Sequence, residues 1–491
     1  MHYNVKNVLY SHGFGNKNEY NNIYIHLYNA LMEAIEDRSL TENSKLPPTR
    51  ILAKDLKISR STVIKAYDLL ILEKYAYAIP GSGNYVASAK NKKLKYSIDS
   101  KITQGNYPGI SKRGLAFKKN IQIIKRTDDM GVAFRPGLPP LDIFPIQQWQ
   151  HLSNEYWKTV KPSELSYSET LGLKGLRENI ADYLKIYRNI NCEAGQIIIT
   201  TGSLHSLYLI GNALIDRNDE VVLEDPTYPR VLNLYNSLKA QIISANIDNE
   251  GISVNQIECK KPKLIYTTPS NQYPSGIKMS LKRRLDLIKW ATQKNTFIIE
   301  DDYDHEFSNW ENPIASIFSL DQQKRVIYLG TFNKLLNPSI RLGYMIVPHY
   351  LLDTVSSLYE QSSRFVPTSM QKVLSTFIEK DYLNKHLRNV IEVSNNRKET
   401  FIKHFEERLS DMFTLDPKPL GLHIIAKANK PNNDKFIASV LAKKGITAHP
   451  YSNYFIGNNF STGLVMGYAS VNEKVMKKKI DLMSSELKAF K

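Results

Sequence analysis

The sequence has few cysteines and no long apolar run. Its 491 residues include two cysteines, Cys192 and Cys259, which lie far apart, form no metal-ligand pattern and are typical of reduced thiols. No apolar stretch approaches the ~20 residues that a helix needs to cross a bilayer. The N-terminus also lacks the basic-then-apolar profile of a signal peptide. These absences predict a cytoplasmic protein with no metal site and no membrane partner.

Acidic residues are also scarce relative to basic ones. The chain has 48 Asp and Glu against 65 Lys and Arg, which gives a net charge of +17. Such a surplus fits a nucleic-acid partner, an anionic membrane surface or simply a soluble basic surface. The length exceeds that of one hydrophobic core, so two or more domains are expected.

Nearly half of the surplus lies in one stretch. Residues 88–130 hold eleven Lys and Arg against three Asp and show little periodicity. They predict a flexible basic linker over residues 89–130, between a domain at 1–88 and a larger one at 131–491. Such a linker is commonly a solvated spacer, but beside a DNA-binding module it would add a salt-sensitive attraction for phosphates.

The first domain shows the pattern of a helix-turn-helix with a hairpin. Apolar residues at helical spacing begin at Ile23. Thr49 and Ser59 can cap two short helices, one ending near Leu56 and one spanning Arg60 to about Leu72. On the second helix an apolar stripe must pack inward, formed by Val63, Ala66, Tyr67 and Leu70. Four side chains then face outward, where they can reach phosphates and base edges: Arg60, Ser61, Thr62 and Lys65.

Residues 75–86 alternate aromatic and smaller residues around a Pro-Gly-Ser-Gly-Asn turn, which predicts a hairpin. On pattern alone, a generic helical bundle with a hairpin is the alternative. The sequence motifs of the segment favour the helix-turn-helix with a hairpin, since residues 20–88 resemble the winged helix-turn-helix of GntR-type bacterial regulators. The shared motifs are LPPTR at 46–50, SRSTV at 59–63 and GSG at 81–83. The resemblance implies double-stranded DNA as partner, contacted by Arg50, Arg60, Thr62 and Lys65, with Gly81 and Gly83 letting the wing approach the backbone.

The large domain alternates strands with longer helical stretches. Five segments read as buried strands: QIIIT, EVVLED, KLIYTTP, TFIIEDDY and RVIYLGT. Their near-continuous apolar runs predict an α/β sheet covered by helices on both faces. In such sheets, ligands gather at the carboxyl ends of the strands.

Chemistry-bearing residues follow four of these strands. Gly202 and Ser203 open a helix whose free N–H groups suit a phosphate. The other candidates are Tyr228 and Arg230 after the second strand, Asp301 and Tyr303 after the fourth, and Thr331, Lys334 and Arg341 after the fifth.

This set suits pyridoxal 5'-phosphate (PLP). Its aldehyde needs a desolvated lysine, and its ring nitrogen needs a buried carboxylate. A phenol can donate to the ring oxygen, an aromatic ring can cover its face, and an arginine with a helix N-terminus can hold its phosphate. Each residue also has an ordinary explanation: a solvated loop lysine, a polar strand end at Asp301-Asp302, or a structural ion pair of Arg341. Their common position at strand ends favours the cofactor site.

The region from about Phe134 onward resembles fold-type I aminotransferases, and the whole chain is similar to MocR-type regulators, which fuse a GntR head to an aminotransferase-like body. The motifs are EDDYDHEF at 300–307 and GTFNK with RLGY at 330–344. The resemblance implies that Lys334 forms the internal aldimine with PLP and that Asp301 partners the ring nitrogen. It further implies that Tyr303 donates to the ring oxygen, Tyr228 stacks, Arg341 and Thr331 hold the phosphate, and Tyr167 reaches the phosphate of a neighbouring subunit.

The same resemblance implies a smaller α+β subdomain from about residue 385 and a homodimer in which each head rests on the opposite body. Three departures from the aminotransferase pattern matter. Asn333 replaces a serine and can still bind phosphate. Tyr273 stands where an asparagine would bind the ring oxygen, so Asn271 or Gln272 would substitute. Val465 and Met466 occupy the neighbourhood of a carboxylate-binding arginine, a task that Arg230 could partly take over.

These features predict a DNA-binding transcriptional regulator that binds PLP and responds to PLP, an amine or an amino acid. One alternative is a PLP-dependent aminotransferase with an appended DNA-binding domain, and another is a binding protein whose PLP pocket is inactive. The missing carboxylate-binding arginine and the intact recognition helix favour the regulator, with at most weak transamination.

Overall fold

A computed structural model describes residues 5–15, 23–88, 109–121, 133–307, 314–416, 421–457 and 460–488. The chain divides into two compact units, Met1–Pro108 and Gly109–Lys491. Each unit has its own hydrophobic core.

The first unit is a small helical domain with a two-stranded hairpin. Its elements are α1 (Val5–Ser11), α2 (Ile23–Glu36), α3 (Thr49–Leu56), α4 (Arg60–Leu72), β1 (Ala76–Ile79) and β2 (Gly83–Val86). The stripe predicted on α4 is buried against this domain's core. β1 and β2 pair antiparallel from Ala76–Val86 to Ile79–Gly83, which confirms the predicted hairpin. Its turn is shorter than predicted, because pairing already begins at Gly83.

The two predicted helix caps have different outcomes. The Ser59 hydroxyl accepts a hydrogen bond from the Thr62 N–H at 3.1 Å, so Ser59 caps α4 as predicted. Thr49 does not cap α3, because Pro48 occupies the cap position and provides no side-chain hydrogen bond. The Thr49 hydroxyl instead accepts a hydrogen bond from Arg60 Nε at 3.3 Å, which joins the two helices.

The second unit contains an eight-stranded sheet flanked by helices. The strands are β3 (Ile197–Thr200), β4 (Glu220–Asp225), β5 (Gln241–Asp248), β6 (Gly251–Ile252), β7 (Pro262–Thr267), β8 (Phe297–Asp301), β9 (Val326–Thr331) and β10 (Gly343–Ile346). Their order is β3-β10-β9-β8-β7-β4-β5-β6, in which β10 and β6 run antiparallel to their neighbours. All five predicted strands are present, and the carboxyl ends of β4, β7, β8 and β9 share one edge.

The helices of the second unit cover this sheet and continue into the C-terminal region. They are α5 (Lys112–Ile121), α6 (Ile146–Thr159), α7 (Lys174–Arg188), α8 (Ser203–Leu214), α9 (Pro229–Ser237), α10 (Leu281–Lys294), α11 (Ile317–Leu320), α12 (His349–Ser362), α13 (Thr368–Glu379), α14 (Tyr382–Leu409), α15 (Asp434–Lys443) and α16 (Glu473–Lys488). Among the residues described, none of these helices combines the length and the apolar character that crossing a bilayer requires.

The helix α5 corrects the predicted linker. Residues 112–121 were predicted to be part of a flexible coil, but they form a helix within the second unit. Asn120 Nδ2 donates to the Ser237 hydroxyl at 2.8 Å, and the Phe117 ring lies 6.5 Å from that of Tyr208. The apolar face is narrow and the helix is otherwise rich in lysine, which explains why periodicity did not reveal it. The rest of the predicted linker, residues 89–108 and 122–130, lies outside the described residues.

The C-terminal region is an α+β layer. Its strands β11 (Phe413–Asp416), β12 (Ile424–Ala428), β13 (His449–Pro450) and β14 (Gly463–Met466) form an antiparallel sheet in the order β11-β12-β14-β13. The long helix α14 and α16 share its core. Phe134 also joins this core and meets Phe401 edge-on at 5.4 Å, so the chain contributes to this layer before it enters the large sheet.

Candidate functional site

Lys334 lies three residues beyond β9, at the edge where the parallel strands end. Its Nζ donates a hydrogen bond to the Gly137 carbonyl at 2.8 Å and lies 5.9 Å from the centre of the Tyr303 ring. Burial lowers the pKa of Lys334, while Asp304 and Asp301 act in the opposite direction. A buried amine with a lowered pKa is more often neutral and can act as a nucleophile.

Two adjacent carboxyls end β8 in opposite environments. Asp302 forms a buried ion pair with Arg188 at 2.6 Å and accepts a hydrogen bond from the Tyr328 hydroxyl at 2.7 Å. Burial opposes ionisation of Asp302, but the Arg188 guanidinium prevails and holds its pKa well below the usual range. Asp302 therefore has its own partners and anchors the strand end.

Asp301 forms no ion pair with any of the described residues, although the charge of Lys334 favours its ionised form. Tyr266 donates to its Oδ2 at 2.9 Å, whereas its buried Oδ1 has no hydrogen-bond partner among the described residues. Burial raises the pKa of Asp301 to about 6, although the Tyr266 and Ser203 hydroxyls oppose this. A buried oxygen that lacks a donor suits the protonated ring nitrogen of PLP.

The phenol of Tyr303 lies near enough to Asp301 to be influenced by its charge, and it contacts Asn271. The Tyr303 hydroxyl donates to the Asn271 carbonyl at 3.1 Å, and Asn271 Nδ2 donates to Asp304 at 2.6 Å. Gln272 is held elsewhere, because its amide donates to Glu224 at 3.2 Å and to the Pro226 carbonyl at 2.8 Å. Of the two proposed substitutes for the missing asparagine, Asn271 is therefore the one next to Tyr303.

The predicted phosphate residues come together at the start of α8. Gly202 precedes Ser203 with a φ of +118°, and a Cβ at Gly202 would lie 2.8 Å from Asn333 Nδ2. The Thr331 hydroxyl accepts the Asn333 N–H at 3.2 Å, and the buried Oδ1 of Asn333 has no partner in the described chain. This crowded backbone leaves free helix N–H groups next to small polar side chains, as phosphate binding requires.

Arg341 follows at the same end and is exposed, with a φ of +55°. Burial lowers the pKa of His205, and Arg341 adds to this effect. Burial raises the pKa of Tyr228, against the opposing charges of Arg230 and Arg341. Both arginines therefore lie close enough to influence the residues around Lys334.

Aromatic rings form a wall that connects these residues to the C-terminal layer. The Tyr273 ring meets three others edge-on, with centroid distances of 5.6 Å to Tyr228, 5.8 Å to Tyr303 and 5.5 Å to Tyr454. Burial raises the pKa of Tyr454, and Arg230 again opposes it, so Arg230 lies beside this wall. We name Tyr228, Tyr273, Tyr303 and Tyr454 the tyrosine wall.

Val465 lies behind the tyrosine wall. It is fully buried in β14, in an apolar cluster with Ile425, Tyr451 and Tyr454. Desolvating a carboxylate against such a cluster would be costly. Val465 and Met466, which were predicted to occupy the neighbourhood of a carboxylate-binding arginine, therefore offer no charge there.

Tyr167 is not brought to Lys334 within the chain. Its side chain is 75% exposed, and the Arg364 guanidinium lies 4.3 Å from the centre of its ring. Among the described residues it forms no hydrogen bond with the residues around Lys334. An exposed tyrosine at this position is what a role toward a neighbouring subunit would require.

The first unit presents the predicted DNA-contacting residues on α3, on α4 and on the wing. Arg50, Arg60, Ser61 and Lys65 are exposed, and so are Gly81 and Gly83 at the wing turn. Thr62 is half-buried, and its hydroxyl lies 2.7 Å from that of Ser59. A further cation, Lys45, lies 5.8 Å from the Tyr85 ring, with its side chain against Gly83. Sequence reasoning missed Lys45 because only the folded hairpin brings it to the wing.

Comparisons with known proteins agree with both units. The family model "Bacterial regulatory proteins, gntR family" matches residues 23–86, and "Aminotransferase class I and II" matches residues 142–477, more than half of the chain. The probable rhizopine catabolism regulatory protein MocR of Rhizobium meliloti is 30% identical over 464 residues, which cover 94% of this chain and 93% of that protein. The chain belongs to the MocR-type family of GntR regulators.

Other relatives match each part of this MocR-type chain. The pyridoxine biosynthesis transcriptional regulator PdxR of Corynebacterium glutamicum is 26% identical over 89% of this chain and 90% of its own. The crystal structure of Pyrococcus horikoshii kynurenine aminotransferase, in complex with PMP, superposes with a TM-score of 0.67 at 26% identity, over 77% of this chain and 97% of that one. The MocR-type chain is thus a DNA-binding transcriptional regulator whose aminotransferase-like domain takes a small-molecule ligand, with PLP as its cofactor.

The residues of this MocR-type site fit the cofactor, because the buried Oδ1 of Asp301 lacks a partner among the described residues and the helix N-terminus at Gly202 and Ser203 offers N–H donors to a phosphate. Sequence reasoning missed two parts of the site. Gly137, with a φ of +71°, packs so closely on Lys334 that a Cβ there would overlap Nζ. His423, 1% exposed, contacts the tyrosine wall at 4.9 Å from Tyr273. The RPGLP and GLH motifs that contain them carry no periodic signal, since both residues reach Lys334 only through the tertiary fold.

Proposed function

We propose that this regulator is a cytoplasmic homodimer whose binding to an operator is controlled by PLP, or by an amine or amino acid that reacts with PLP on Lys334. One observation carries the proposal. A single chain combines an exposed, capped recognition helix with a PLP-type site in which buried Val465 and Met466 lie where the resemblance to aminotransferases predicts a carboxylate-binding arginine. A site built that way retains amine chemistry but is poorly equipped for amino-acid turnover.

In this proposal each residue of the site has a stated task. Lys334 holds PLP covalently, Asp301 receives the ring N–H, Tyr303 and Asn271 face the ring oxygen, and Tyr228 stacks on the ring. Four residues hold the phosphate: Ser203, Thr331, Asn333 and Arg341. PLP supplies an electron sink and an aldehyde that exchanges amines, while the protein chain orients these groups and limits water.

Arg230 is the proposed contact for an acidic group on the effector. It lies beside Tyr228 and Tyr454, as its influence on both hydroxyls indicates. A guanidinium can bind a carboxylate through two parallel hydrogen bonds. Its position beside the tyrosine wall would let it anchor an effector whose amine reaches Lys334.

The dimer is proposed from surface features of α6 and the segment that follows it. Trp157, Leu165 and Tyr167 are 62%, 60% and 75% exposed. Large exposed apolar side chains of this kind commonly mark an interface between subunits. A two-fold dimer would present two heads to a repeated half-site, and in our proposal each head rests on the opposite body.

Two measurements on the PLP-loaded protein test the proposal. We expect amines or amino acids to change the absorbance of lysine-bound PLP and, at the same concentrations, to change the affinity for DNA from upstream of its own gene. Sustained keto-acid release, with DNA affinity unchanged, would favour the alternative of an aminotransferase with an appended head. A chain that shows no absorbance from bound PLP would refute the proposal.

The recognition helix is tested separately. We expect Arg60→Ala to weaken operator binding by roughly tenfold or more, because a base or phosphate contact contributes about 1–3 kcal/mol. The matched control is Arg217→Ala, which removes the same charge from an exposed position in the second unit. Absorbance of bound PLP should be the same in both variants. Equal operator affinities of the two variants would remove Arg60 from the interface.

A further inference from the structure

His423 is a polar residue beside the site that none of these roles uses. It immediately precedes β12 and is 1% exposed. Its ring lies 4.9 Å from Tyr273, which lies 5.8 Å from Tyr303, the ring next to Lys334 Nζ. The C-terminal layer thus contributes an imidazole to the tyrosine wall.

The contacts of His423 determine which of its nitrogens carries the proton. Nε2 lies 2.7 Å from the Pro274 carbonyl, and since a carbonyl can only accept, Nε2 must donate. Burial lowers the pKa of His423 to about 4, the Pro274 carbonyl opposes this, and the charge of nearby Lys334 adds to it. The ring is therefore neutral near pH 7, and Nδ1 is a hydrogen-bond acceptor.

In the described part of the chain, no donor reaches this acceptor. Among the residues that the structure describes, Nδ1 of His423 forms no hydrogen bond. Since the His423 side chain is 1% exposed, Nδ1 has little access to water, and a ligand group that donates to it would gain a hydrogen bond. The influence of Lys334 on its titration shows that the imidazole lies within reach of the charge on the reactive amine.

The surrounding wall favours a hydrogen-bond donor over a carboxylate at this place. Val465, with Ile425 and Tyr451, makes the layer behind the wall apolar. A carboxylate next to Nδ1 would meet a lone pair, whereas a hydroxyl or ammonium would meet a partner. His423 therefore favours ligands that place a hydrogen-bond donor at Nδ1 over ligands that place an acceptor there.

We propose that His423 Nδ1 accepts a hydrogen bond from the effector, which is a primary amine that carries a second donor, either a hydroxyl or a second amino group. This inference rests on the proposed function, in which the effector's amine reacts with PLP on Lys334. It adds the class of ligand and assigns His423 as a specificity residue. An acidic group on the same ligand would still be served by Arg230.

Three amines of equal size provide the test: propylamine, ethanolamine and ethylenediamine, together with the corresponding set one methylene longer. Each is titrated into the PLP-loaded full chain, and the absorbance of lysine-bound PLP is followed at matched free-base concentrations. We expect the donor-bearing amines of at least one set to act at concentrations about five- to tenfold lower than the alkylamine, the usual effect of one buried hydrogen bond. Equal potency within both sets would overturn the inference.

Two variants assign the preference to His423. His423→Phe keeps a flat ring of similar size but has no acceptor, so the preference should disappear while the potency of propylamine stays within about twofold. His423→Asn retains an acceptor oxygen and should keep part of the preference. Persistence of the full preference in His423→Phe would overturn the inference. If no amine changes the absorbance, both the proposed function and this inference are refuted. If all amines change it equally, with no preference for those that carry a second donor, only the inference is refuted.

Discussion

At the scale of single residues, burial produces two opposite pKa shifts on neighbouring groups. It lowers the pKa of the Lys334 amine and raises that of the Asp301 carboxyl to about 6. In both cases the charged form is the one that a low-dielectric environment disfavours. The folded chain therefore holds a nucleophile closer to neutrality and a carboxyl that gains from a cationic partner, which together suit PLP.

Lys334→Ala tests the covalent attachment. After borohydride reduction and denaturation, the parent chain should retain PLP and the variant should not, because no amine remains to form the bond. Lys278→Ala is the control. Burial lowers the pKa of Lys278 as well, but this lysine lies after β7 and not after β9, so it has no proposed role in PLP binding. Mass spectrometry of the denatured chains gives the readout. Reduced PLP retained on Lys334→Ala would assign the linkage to another residue.

Asp301 should give the cofactor-free protein a measurable pH dependence. Its pKa rises from 3.8 to about 6 on folding, so between about pH 4 and 6 the folded state binds more protons than the unfolded state, and stability falls as pH rises. At 1.36 kcal/mol per pKa unit, the loss is about 2–3 kcal/mol by pH 7.

The Asp301→Asn variant lacks this titration and is the reference. We expect the difference in unfolding free energy between parent and variant, measured by denaturant in the absence of PLP, to shift by that amount across the interval. Bound PLP should reverse the trend in the parent, because its protonated ring favours the ionised carboxyl. Parallel pH profiles of the two cofactor-free proteins would contradict the assignment.

What the sequence revealed at this scale depended on where each residue lies. Asp301 ends β8, Ser203 begins α8 and Lys334 lies three residues beyond β9, so a local pattern placed them at one edge of the sheet. Gly137 is distant in sequence from Lys334, and His423 is distant from Tyr273, so both contacts form only in the tertiary fold. The periodicity of a single sequence cannot predict contacts between residues that are far apart in the chain.

At the scale of elements, strongly apolar segments were predicted better than amphipathic or short ones. The five strands of the buried sheet have continuous apolar runs, whereas β5 and β10 were missed: β5 alternates in burial, and β10 has four residues. The recognition helix α4 was predicted at its true bounds, because Ser59 caps it and its stripe is regular. The helix α5 was missed because most of its residues are polar and exposed.

Phe117→Ala should release α5 from the body of the second unit. The Phe117 ring packs near Tyr208 and is the largest half-buried side chain of α5, so its truncation removes most of the apolar contact. We expect cleavage within residues 109–121 by limited proteolysis to be at least several-fold faster, since protease sensitivity follows local opening. Leu115→Ala is the control on the same helix, at a side chain that is 49% exposed. Equal cleavage rates in both variants would show that Phe117 does not hold the helix.

At the scale of the whole molecule, the proposal of a shared site makes a complementation test possible. If Tyr167 acts on the neighbouring subunit, Lys334→Ala and Tyr167→Ala chains should each bind PLP poorly as homodimers. A mixed dimer then has one site with an intact lysine and the partner's intact tyrosine. Random mixing of equal amounts should make about half of the dimers mixed, so we expect PLP absorbance to be restored at about one site in four, in particles of twice 56.2 kDa.

The control for this experiment is Tyr350→Ala, which removes a tyrosine that is 60% exposed on α12. Tyr350→Ala should bind PLP normally as a homodimer. No restoration on mixing, despite confirmed exchange of subunits by sedimentation, would place Tyr167 outside the site.

The segment between Phe134 and Gly137 joins two parts of the second unit. Phe134 is buried in the core of the C-terminal layer. Three residues later, the Gly137 carbonyl accepts a hydrogen bond from the Lys334 amine. Any ligand that reacts with this amine and takes its hydrogen would break the hydrogen bond to the Gly137 carbonyl. The C-terminal layer is therefore linked to the reactive lysine by three residues of backbone and one hydrogen bond.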